Sequence, residues 1–299
     1  MLLRLPLVVA FAAACASGGR SGGTTPAPPT PTPYTPTSAQ GGAPPTVGPR
    51  GPEAVRYGPG AVRYLVYRRS HVEQRMAEAP PQNQDLGARV YAAMSISGPA
   101  DSLGYPVIFT VDSIVPDSGT AAPVAASMAR GRRLVFSGRL TARGNVVSAV
   151  ASDTTVAQSL IQVLGNFRDF LPRLPAAGLT LGAAWTDTVE ATQRAGGAEV
   201  SRRSISHATA ASWAEHAGTR SLRVEGTFTY RLAGAGHNAG QPFELAGAGD
   251  GTVTSFIADD GRYVGGESRD SASLTIRLPV QGIAIPVIQV TRTTVTVLP

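Results

Sequence analysis

The chain of 299 residues contains one cysteine, no lysine and only 6% aromatic residues, and each shortage removes a class of chemistry. A single thiol excludes an internal disulfide framework, a CxxC redox pair and a cysteine-rich zinc site. With all 26 basic residues arginine, Schiff-base chemistry, a phosphate-loop lysine and a Ser–Lys dyad have no donor, because a guanidinium stays protonated. GxSxG, HExxH and GxxxxGK are also missing, as is a GxGxxG between a strand and a helix. The histidines His71, His207, His216 and His237 form no i, i+4 pair, so no catalytic residue, metal ligand or cofactor is expected, and the chain reads as a non-enzyme. The net charge of +6 comes from scattered arginines, with short groups only at Arg68-Arg69, Arg130-Arg132-Arg133 and Arg202-Arg203. No basic face with interleaved aromatics results, which argues against a nucleic-acid partner.

Glycine and proline, by contrast, are abundant at 34 and 24, and ten of the prolines fall between Pro26 and Pro52. Ahead of them stand Arg4, an apolar run from Leu5 to Ala14, and Ala12-Ala13-Ala14-Cys15. One charge, a short apolar run and a small-residue exit form a secretory signal over residues 1–14, too short to span a bilayer. Residues 15–52 are Gly, Ser, Thr, Ala and Pro with Thr-Pro repeats, a composition that cannot offset its ordering entropy and reads as a disordered tether. Its 38 residues (15 to 52 inclusive) reach about 118 Å at ~3.1 Å each when extended.

Residues 53–299 read as one mainly β (α+β) domain. From Arg220 to Leu232, Leu222, Val224, Phe228, Tyr230 and Leu232 alternate with Arg223, Glu225, Thr227, Thr229 and Arg231. This is an antiparallel strand with one buried and one wet face. Similar alternation marks Val90–Ile96, Val107–Val111, Leu134–Leu140 and Leu274–Leu278, with hairpin turns at Arg143-Gly144-Asn145 and Asp259-Asp260-Gly261. A last strand over Ile283–Leu298 is expected to break or bulge near Pro286, and Gly247–Gly251 reads as a turn.

Between Thr155 and Leu171 the period changes. Val156, Leu160, Val163, Leu164, Phe167, Phe170 and Leu171 recur at three- and four-residue intervals, predicting one amphipathic helix of about four turns, capped by Asp153 or Thr154 and stopped by Pro172. A shorter helix is expected around 121–130. One striped helix among many one-sided strands packs most simply in the concavity of a curved antiparallel sheet or half-barrel.

Two resemblances attach to these residues. Ala12-Ala13-Ala14-Cys15 resembles a bacterial lipobox, which implies lipidation of Cys15 (palmitate among the acyl chains). Ala16-Ser17 lacks the Asp that resembles an inner-membrane retention signal, implying an outer membrane and a domain facing the periplasm. The leader, tether, curved sheet and enclosed helix together resemble outer-membrane-type lipoproteins with a LolA/LppX-like half-barrel domain. Leu171-Pro172-Arg173-Leu174-Pro175, then Gly182-Ala183-Ala184-Trp185-Thr186-Asp187, resembles a passage of an uncharacterised lipoprotein family. The resemblance implies an apolar or lipidic ligand in the sheet concavity, against Phe109, Phe136, Phe167, Phe170, Trp185, Phe228 and Tyr230, with arginines at the mouth. The alternatives are a filled core that serves envelope assembly by binding protein partners, and an unrecognised hydrolase. Two acyl chains or more make anchoring stable, so Cys15→Ser is expected to move the chain from carbonate-washed membranes to the soluble fraction. Continued sedimentation of the variant with membranes would refute the anchor.

Overall fold

The computed structural model describes residues 54–76, 79–165, 167–195, 198–238 and 240–299. The signal segment, Cys15 and the tether lie outside them. Eleven strands form one open antiparallel sheet. In chain order they are β1 (Gly60–Met76), β2 (Ala79–Ile96), β3 (Tyr105–Pro116), β4 (Val135–Leu140), β5 (Val146–Ala151) and β6 (Ala184–Ala195). There follow β7 (Ala198–His216), β8 (Thr219–Asn238), β9 (Gln241–Ala258), β10 (Tyr263–Leu278) and β11 (Ile283–Leu298). The spatial order is β5-β4-β3-β2-β1-β11-β10-β9-β8-β7-β6. Each strand therefore pairs with its chain neighbours, β1 closes onto β11, and the ring of pairings is interrupted at one place, between the edge strands β5 and β6.

Residues 152–183 join those two edges without pairing them. The single helix expected over 155–171 is divided: α2 (Thr154–Ser159), α3 (Ile161–Leu164) and a 3-10 turn (Phe167–Asp169). Asp153 caps α2 by accepting from the Val156 amide at 2.9 Å. Leu160, at φ −105° and ψ 5°, breaks the first piece from the second, and Gly165, at φ 70°, ends the second in a conformation that glycine favours. The apolar stripe still points inward: Leu160, Val163, Phe167 and Leu171 are buried with Phe109, Val111 and Leu140 of the sheet. The shorter helix is α1 (Ala122–Arg130), closed over β3 by Met128, which is fully buried.

Two further expectations change. Gly247–Gly251 is no turn; it lies within β9, with Gly247, Gly249 and Gly251 opposite Leu232, Tyr230 and Phe228 of β8. A Cβ on Gly251 would run into the Phe228 ring and the Arg269 carbonyl, so the glycines are gaps into which large β8 side chains lie down. Pro286 does not break β11, because β1 stops pairing at Gln74, opposite Val287, leaving the proline with a single neighbour strand.

The inward face carries two apolar clusters. The larger gathers the buried faces of β1–β4, the ends of β7–β10 and the 152–183 segment. The second lies along the other ends of β7–β11 and includes Leu232, Phe243, Leu245, Leu274, Ile276 and Val287. The outward face is charged: Arg223, Glu225, Arg231, Glu244, Glu267, Arg269 and Arg292 are all exposed. A lipid-facing barrel wall needs apolar residues at those positions.

Candidate functional site

Between the two clusters the inward positions turn polar. Along β1 they run Tyr64, Val66, Arg68, Ser70, Val72; along β7, Ala208, Ser206, Ser204, Arg202, Val200; along β10, Gly266, Ser268, Asp270, Ala272, Leu274. β1 and β7 stand five places apart in the sheet, yet Arg68 and Arg202 act electrostatically on one another and on Asp270. Only curvature of the sheet brings them together. On the same level Ser70 and Thr291 hydroxyls lie 2.9 Å apart, and Gln289 donates to Thr291 Oγ1 at 3.2 Å.

The electrostatics of this belt are unbalanced. Burial lowers the pKa of the Arg68 guanidinium, Asp270 counteracts that, and Arg202 adds repulsion. Burial also raises the Asp270 carboxyl above its ordinary value, against the Tyr230 hydrogen bond and the two arginines. Tyr230 donates to Asp270 Oδ1 at 2.8 Å, and the Arg202 guanidinium lies 4.0 Å above the Tyr230 ring. Among the described residues, Nε of Arg68 and Nε of Arg202 are buried with no hydrogen-bond partner.

Beside the belt lies a cavity of about 420 Å³. Val66, Val163, Leu164, Phe170, Trp185, Val224, Phe228, Tyr263 and Val295 give it apolar walls, and Arg68, Arg202, Asp270, Ser204 and Ser268 give it polar ones. Its roof is the segment after Gly165. There Arg173 pairs with Asp169 at 3.2 Å and with Asp187 of β6 at 3.1 Å, while Arg143 reaches the other Asp187 oxygen at 3.4 Å. Trp185 Nε1 donates to the Arg173 carbonyl at 3.2 Å, and Tyr57 donates its hydroxyl to the Pro172 carbonyl at 2.7 Å. Asp187 is thus a latch holding the roof against the sheet edge.

No family model and no curated protein matches the chain. Among solved structures it is similar to an exported protein with a YmcC-like fold from Bacteroides fragilis. The two share 8% identity over 82% of this chain and 100% of the other, with a TM-score of 0.24. It is also similar to Pseudomonas aeruginosa OccK2 in complex with glucuronate, at 8% identity over 80% and 98% of the two chains and a TM-score of 0.24. Ail, the attachment invasion locus protein of Yersinia pestis, is similar at 3% identity over 78% and 98%, with a TM-score of 0.15. Scores this low carry no functional argument.

The seven aromatics singled out in the sequence divide. Phe170, Trp185 and Phe228 line the cavity. Phe109, Phe136 and Phe167 pack on one another at ring separations of 5.4–6.3 Å, in the filled part of the concavity. Tyr230 borders the second cluster and meets the belt through its hydroxyl. The arginines expected at a mouth lie within the concavity. Arg68, Arg202 and Asp270 are not among the expected site residues; the signal that marks them is a charge in phase with an apolar face, visible once the strands are drawn at full length.

With its pKa raised, Asp270 holds its proton more tightly in the folded than in the unfolded chain. Stability therefore falls as pH rises from the unfolded carboxylate value of about 3.9 through the folded one. Urea unfolding of Asp270→Asn across that window is expected to show a shallower fall than the wild-type chain. Equal slopes would contradict the assignment.

Proposed function

We propose that this chain is a non-enzymatic, lipid-anchored protein of the cell envelope, tethered through Cys15 to the periplasmic face of the outer membrane, that holds an amphiphilic ligand in its sheet concavity. The reading extends the resemblance to LolA/LppX-like half-barrel lipoproteins. One observation carries it: a cavity of about 420 Å³ with an aromatic and aliphatic wall, roofed by a segment in which the ion pairs of Arg173 stand beside the buried Leu171 and Leu174. The volume lies in the range of small-molecule sites, ~300–1,000 Å³. Burying an acyl chain there gains about 0.8 kcal/mol per methylene removed from water. The charged outward face speaks against a sheet that itself faces lipid, and the tether expected over residues 15–52 would supply reach.

The assembly alternative has one supporting observation, the filled end of the concavity, where Phe109, Phe136 and Phe167 leave no room beside α3. A protein partner would then use the outward face, and the cavity would be incidental.

Trp185 lines the cavity while Trp213 lies outside it under Arg220, whose guanidinium is 3.9 Å above its ring, so the two readings separate optically. In a Trp213→Phe chain, an acyl probe brominated along its tail is expected to quench Trp185 emission saturably, with a non-brominated analogue competing. Ser206→Phe, which places a large ring in the cavity without adding a tryptophan, should abolish the saturable quenching. Quenching that never saturates would refute the binding reading.

A further inference from the structure

The belt holds two half-buried arginines, each with a buried Nε, against one carboxylate that burial itself drives toward its neutral form. Tyr230 already occupies one oxygen of that carboxylate; of the other charged groups on the cavity wall, Asp169 and Arg173 belong to the roof latch and Glu267 is exposed. Arg68 extends toward the roof, its Nη1 3.3 Å from where a Cβ on Gly165 would stand. Both arginines line the cavity, from opposite sides of the curved sheet, and both keep a buried Nε without an acceptor. A buried charge left uncompensated costs several kcal/mol, and a guanidinium offers its donors in a planar fork matched to carboxylate or phosphate oxygens. What this arrangement lacks is an anion.

We infer that the ligand of the concavity carries an anionic headgroup, a carboxylate or phosphate ester, seated between Arg68 and Arg202 with its apolar tail along Phe170, Trp185 and Phe228. This rests on the amphiphile reading and adds to it the headgroup chemistry and the ligand's orientation. Ser268 and Thr293, also on the cavity wall, offer hydroxyls to the remaining oxygens.

The test is calorimetric titration of the delipidated full chain, kept in solution by Cys15→Ser, with decyl phosphate, decanoate, decanol and inorganic phosphate. Decyl phosphate and decanoate are expected to bind at least about tenfold more tightly than decanol, the size of one charged hydrogen bond. Arg68→Gln and Arg202→Gln should each shrink that margin between the anionic probes and decanol. The margin between anionic and neutral probes on the Cys15→Ser chain decides the matter even where a glutamine variant does not fold. Equal affinity for decyl phosphate and decanol, unchanged in both variants, overturns the headgroup inference and leaves the amphiphile reading standing. Inorganic phosphate binding as tightly as decyl phosphate keeps the anion site and overturns the apolar tail. Binding of no probe overturns both.

Discussion

The inward face of this sheet cannot close on itself at mid-height, because three strands place charge there. Arg68, Arg202 and Asp270 occupy positions that the strand period assigns to the interior, between two clusters that are otherwise Leu, Ile, Val and aromatic. Apolar collapse drives the curvature, and desolvation of the Arg68 guanidinium resists its completion. The outcome is a sheet packed solid at two levels and held open between them. Most other features of the interior answer to that compromise. The glycines of β9 let Phe228 and Tyr230 lie flat beside the belt, Tyr230 satisfies part of Asp270, and the hydroxyls of Ser70 and Thr291 satisfy each other.

The second constraint is topological. Ten consecutive antiparallel pairings, counted from the eleven-strand order, leave β5 and β6 as edges, and exposed edges invite pairing with other chains. The chain answers with the segment between them, which runs across the concavity and serves two ends at once. Its first half is a plug, with Leu160 and Val163 buried in one cluster with β2–β4. Its second half is a roof held by Asp187, Arg173 and Arg143. Gly165 divides plug from roof. The roof is fixed by packing as well, through Leu171 and Leu174, and its partly exposed ion pairs add little to that.

Much of the fold is legible in the sequence. Period-two alternation marks β8 and parts of β2, β3, β4 and β10, the hairpins at 143–145 and 259–261 stand where glycine and aspartate place them, and the capping Asp153 is where the helical stripe begins. The continuity of the helix is not, although Gly165 followed by Asn166 carries a stop signal inside the stripe. The alternating glycines of β9 imitate a turn because turns and large cross-strand rings both require an absent Cβ. The cavity is legible only in part. Aromatics count equally toward a core and a ligand wall, and the sheet's curvature decides that Phe170, Trp185 and Phe228 line space while Phe109, Phe136 and Phe167 fill it. The belt depends on strands five places apart meeting across the concavity, which local periodicity does not encode.

The central claim is that the concavity is occupied in the protein's own envelope. Native mass spectrometry of the full chain drawn from that envelope, with solvent extraction and identification of what accompanies it, tests this most directly. The account predicts one amphiphile per chain, anionic and released when the protein is denatured. A chain that emerges empty, or that retains a stoichiometric protein partner in place of any extractable amphiphile, would contradict it.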